Sequence, residues 1–115
     1  MAKRAKQPED PKPPHYVGKC YDGDDIYKIT EAIVKPSTIT VTWKEGHSLG
    51  SMRVTSSNGR EYSGSYRYRD DTSPGTTDLK RSDVEEGVVV LAGEWWDETD
   101  KNWHGEWTFE LTPRV

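Results

Sequence analysis

Seven large aromatic side chains, Trp43, Tyr62, Tyr66, Tyr68, Trp95, Trp103 and Trp107, fall at alternating positions of strand-like runs. An indole or phenol ring offers a broad apolar face with one polar edge, and that edge seeks a partner when buried. An interior rich in such rings is either packed solid or shaped around a ligand with aromatic or amphipathic character. The residues expected to line such a ligand site are Trp43, Tyr62, Tyr66, Tyr68, Trp95 and Trp107. Glu31 joins them because it sits between Ile29 and Ile33 at alternate positions. Inside a barrel it would need an Arg, a Tyr hydroxyl or a ligand cation, and a bulge that turns it outward is the competing reading.

Other chemistries find weaker footing. Glu94 and Glu106 could face each other across adjacent strands, as an acid–base pair would, but carboxylates are abundant on the polar face. The acidic turns "DGDD" and "DETD" lack the ligand spacing of a calcium loop, and one Cys with three dispersed His residues gives no zinc pattern. The run "SYRYRDD" interleaves Arg67 and Arg69 with Tyr66 and Tyr68, yet strand alternation puts charge and rings on opposite faces. Nucleic acid is therefore disfavoured as a partner. No catalytic residue, metal ligand or cofactor is expected, although a small barrel enzyme using Glu31 stays open.

The elements that must position these groups are short strands. "STITVTW" sets Ile39, Val41 and Trp43 against threonines, and "WHGEWTFEL" sets Trp103, Gly105, Trp107, Phe109 and Leu111 against His104, Glu106, Thr108 and Glu110. Turn chemistry separates the runs, and Asn58-Gly59 suits a type I′ hairpin. The runs 15–21, 26–34, 37–44, 48–55, 60–69, 87–96 and 102–112 give seven strands, and 76–82 would make an eighth. That segment is ambiguous because only Leu79 in it is apolar. No 3.6-residue period is sustained anywhere.

Adjacent strand residues point to opposite faces, so one of Trp95 and Trp96 must lie outside. Trp96 with Val88 and Val90 would form an outward apolar patch, suited to a protein partner or a homodimer, or covered by the N-terminal tail.

Gly-x-aromatic steps recur as Gly64-Ser65-Tyr66, Gly93-Glu94-Trp95 and Gly105-Glu106-Trp107, with Gly18-Lys19-Cys20 in the first run. Glycines beside large rings let a sheet coil and close. On "YVGKC", "YSGSY", "LAGEW" and "HGEW" the chain resembles, in architecture, the up-and-down barrels of the lipocalin and avidin group. The resemblance implies barrel shape and carries over no binding residue.

Composition bounds the rest. The chain has 115 residues, 31% of them hydrophobic, and a net charge of -4, so one domain with a small aromatic-dependent core is expected. Residues 1–14 hold four prolines and read as a disordered Pro/Lys-rich tail before a single β-barrel domain at 15–115. No run is apolar enough for a spanning helix and Cys20 stands alone, which points to a cytoplasmic protein with no membrane attachment and a small core thiol. The expectation is an all-β, antiparallel up-and-down meander of seven or eight strands, forming a closed or nearly closed barrel. It would bind a small, partly aromatic or amphipathic ligand. The alternative is an interaction module with a filled core and the Trp96, Val88, Val90 patch outside.

Overall fold

Eight antiparallel strands each pair with the next in sequence, and the last pairs with the first to close the barrel. The computed structural model describes residues 15–69, 74–85, 87–100 and 102–114, the side chain of Val84 excepted, so the tail expected at 1–14 lies outside the described residues. The strands are β1 (His15–Asp22), β2 (Asp25–Val34), β3 (Thr38–Glu45), β4 (Ser48–Thr55), β5 (Glu61–Tyr68), β6 (Gly75–Glu85), β7 (Val88–Asp97) and β8 (His104–Pro113). Closure pairs Cys20 with Phe109 and Gly18 with Leu111, which removes the open edges a flat meander would present.

The segment that sequence left ambiguous is a full strand. β6 pairs with β5 on one side and β7 on the other, and it sends Thr77 and Leu79 inward while Asp78 and Lys80 stay exposed. Its inner face is legible only once Thr77 is seen as a core residue. The Thr77 hydroxyl donates to the Glu94 carbonyl at 2.8 Å and accepts the Trp107 indole N–H at 3.0 Å, which offsets the cost of burying it.

The Asn58-Gly59 turn forms, but as a five-residue connection, 56–60, rather than a two-residue type I′ loop. Asn58 Oδ1 accepts from the backbone N–H groups of Arg60 and Glu61, and Ser56 Oγ accepts from Gly59 N–H. These side-chain bonds stand in for a tighter backbone turn.

Alternation fills the barrel from β3, where Ile39, Val41 and Trp43 are buried, to β8, where Trp107, Phe109 and Leu111 are. Two ends result. At the closed end, where β2 turns into β3 and β4 into β5, Ile39, Val54, Tyr62, Leu79 and Leu111 are all but inaccessible. At the other end the turns between β1 and β2 and between β3 and β4, with Tyr68, Asp97 and Trp103, surround a mouth.

Candidate functional site

Glycine placement opens the mouth. Gly50 pairs with Trp43, Gly75 with Tyr66 and Gly105 with Trp95 across neighbouring strands, and a Cβ at each glycine would run into that ring. Each ring can therefore lie flat over the adjacent strand. The Gly-x-aromatic step works across strands: Gly105 makes room for Trp95, not for the Trp107 two residues on. Gly64 and Gly93 serve a different purpose, since a Cβ there would meet the backbone of the neighbouring strand.

Above these rings lies an open cavity of about 620 Å³, within the size range of small-molecule sites. Its aromatic walls are Tyr27, Tyr66, Tyr68, Trp95, Trp103 and Trp107. Tyr66 packs edge to face with Tyr68, Trp95 and Trp107, its centroid 4.9 Å from that of Trp107, and Trp43 lies beneath Tyr68 at 5.9 Å. The rim is acidic, formed by Asp22, Asp25, Glu45 and Asp97, with Ser48 beside them. Each carboxylate comes from the first or last residue of a strand, where strand alternation hands over to turn chemistry.

The rim groups are ordered to different degrees. Tyr68 donates its hydroxyl to Glu45 Oε1 at 3.1 Å, and burial, followed by the Glu45 charge, pushes the Tyr68 phenol well above its usual range. Burial, with Glu45, Asp25 and Asp22 nearby, pushes Tyr27 up to about 12. The Asp22 carboxyl is raised by burial first. The Trp95 indole N–H counters by favouring the charged form, and Asp25 adds to the rise. Although it is close enough to influence Asp22, the Trp95 N–H is buried without a formed hydrogen bond. Asp97 is lowered, by the Thr99 hydroxyl and the backbone N–H groups of Asp100 and Thr99, which bond to its Oδ1 at 2.7–3.0 Å.

The structure separates the residues singled out from sequence. Tyr66, Tyr68, Trp95 and Trp107 line the cavity. Trp43 is fully buried below it, its indole N–H facing Tyr68 but without a formed hydrogen bond among the described residues, and Tyr62 is buried at the closed end. There the Tyr62 hydroxyl donates to the Pro36 carbonyl at 3.3 Å and accepts from Arg81 Nη1 at 3.4 Å. Trp103, placed on the inward face by alternation, instead precedes β8, is 65% exposed and stands on the rim against Trp95 at 6.4 Å.

Glu31 lies on the outer surface. A bulge between Ile29 and Glu31 shifts the register of β2, so Ile29 and Ala32 face the core while Glu31 turns out to meet His15 Nδ1 at 3.0 Å. Val88, Val90 and Trp96 are half-exposed on the outside of β7. Exposed Glu94 sits between Val90 and Trp96, opposite Asp78 and Glu106, which breaks the patch. Cys20 is a buried core thiol, pushed up first by burial.

Sequence reasoning missed the acidic rim. Asp22, Asp25, Glu45 and Asp97 read as ordinary turn residues, and the available signal was that all four fall at strand ends on the same side of a meander. No protein-family model matches the chain, and no curated protein matches it in sequence.

Proposed function

We propose that the protein is a non-catalytic barrel of lipocalin-like design that binds a small, partly aromatic or amphipathic ligand, in the mouth rather than along the barrel axis. The observation that carries this reading is a cavity of about 620 Å³ with six aromatic side chains on its walls. Below the mouth Trp43, Tyr62, Phe109 and Leu111 are buried in the barrel interior, which supports the mouth as the place for a guest.

Catalysis finds little support. The inward Glu31 that a barrel enzyme would have used is on the surface. A partner-binding face on β7 is also less favoured, because Glu94 interrupts it.

The test is a thermal-shift and tryptophan-fluorescence screen against small aromatic and amphipathic compounds, repeated on Trp103→Ala. A ligand that binds only the folded state raises the melting temperature by mass action. Saturable binding that weakens in the variant supports the mouth as the site. Binding to both proteins with equal affinity, or no binding by any compound, would contradict it.

A further inference from the structure

The lining of the mouth holds four carboxylates, Asp22, Asp25, Glu45 and Asp97, and no Lys, Arg or His among the described residues. None of the four forms an ion pair among the described residues. The walls between them are the faces and edges of electron-rich rings. Resting on the mouth as the binding site, we propose that its ligand is a small organic cation, a substituted or quaternary ammonium ion enclosed by Trp95, Trp103 and Tyr68 and neutralised by the acidic rim.

Three features point the same way. Ring faces attract cations electrostatically, and indole does so best. Trp95 and Trp103 stand 6.4 Å apart with their planes inclined at 58°, so the two rings meet at an angle, as two walls of a corner do. Desolvation, opposed by the Trp95 indole N–H and reinforced by Asp25, raises the Asp22 carboxyl above its ordinary range, and an incoming positive charge beside it favours its charged form where a neutral or anionic guest does not.

A bare metal ion fits less well. Among the described residues no group of three or more His, Cys, Asp or Glu side chains is arranged to hold one, because the four carboxylates ring the opening instead of converging on a point. Hard cations need converging oxygens. An alkylated ammonium needs instead an apolar wall with diffuse negative charge around it, which is what six rings and four separated carboxylates offer.

The experiment titrates the full-length protein with choline, with its uncharged isostere in which carbon replaces the nitrogen, and with calcium, reading tryptophan emission and calorimetric heat. Choline is expected to bind at least about tenfold more tightly than the isostere, a factor worth 1.4 kcal/mol. Its affinity should fall with added salt and weaken by about tenfold in Asp22→Asn and in Glu45→Gln. Equal binding of choline and the isostere would overturn the cation assignment while leaving the mouth a ligand site. Calcium binding with no choline binding would overturn it in favour of a metal. Failure of every compound to bind the unmodified full-length protein, while it melts cooperatively, would count against the site itself.

Discussion

The two ends of the barrel are built from the same strands and reach opposite solutions. At the closed end aliphatic side chains and Tyr62 are buried together, and the Tyr62 hydroxyl is bonded to Pro36 and Arg81. At the mouth, glycines replace the side chains that would fill the space, rings lie over them, and carboxylates gather with no cation in the lining among the described residues. At one end the Tyr62 hydroxyl finds its partners within the fold. The other leaves negative charge and aromatic surface for something else to satisfy, which is the pattern expected where stability has been traded for binding.

That contrast can be broken most severely below the mouth. Trp43→Ala removes a fully buried ring in contact with Tyr68, Trp107 and Phe109, and a loss of about 3–5 kcal/mol by chemical denaturation is expected. Thr77→Val comes next. It strands the Trp107 indole N–H and takes a donor from the Glu94 carbonyl, for about 1–3 kcal/mol in the same measurement. At the closed end Tyr62→Phe keeps the packing and loses one hydroxyl with two partners, for about 1 kcal/mol. At the rim Trp103→Ala should change stability by less than about 0.5 kcal/mol and yet weaken ligand binding. A larger stability loss there than at Tyr62 would reverse the assignment of the two ends.

The smallest effect has a distinctive sign. Asp22 has a folded-state pKa above its ordinary 3.8, so the folded chain takes up its proton more readily than the unfolded one. The stability this confers is fully present below 3.8 and is lost as pH rises through the raised value. Asp22→Asn should therefore flatten that part of the melting profile and match or exceed the wild type near neutral pH. Choline affinity in the wild type should run the other way, strengthening as Asp22 ionises. A melting temperature that falls at neutral pH in the variant would mean that Asp22 supports the fold instead of the site.

Barrel topology was legible in the sequence because alternation is strict where it matters. Ile39, Val41, Trp43 and Trp107, Phe109, Leu111 read as inward and are buried. β6 was obscure because its core residue Thr77 is polar by type and apolar only by context. Glu31 misled for the opposite reason: a one-residue bulge changes which face a side chain joins, and no local residue type marks it. Trp103 misled because alternation was extended one residue past the strand. Among the rings of the candidate site, Tyr66, Tyr68, Trp95 and Trp107 were legible from spacing, while Tyr27 was not singled out. The acidic rim was not legible, because three turns distant in sequence become one opening only when the meander closes.

The most direct test follows the five indole N–H signals by nuclear magnetic resonance while choline is added. Trp95, Trp103 and Trp107 are cavity residues, Trp43 is buried beneath, and Trp96 faces outward. Saturable shifts at the three cavity indoles, with Trp96 unmoved, are the predicted result. Shifts led by Trp96, or no shift at Trp95 and Trp103 at saturating choline, would contradict it.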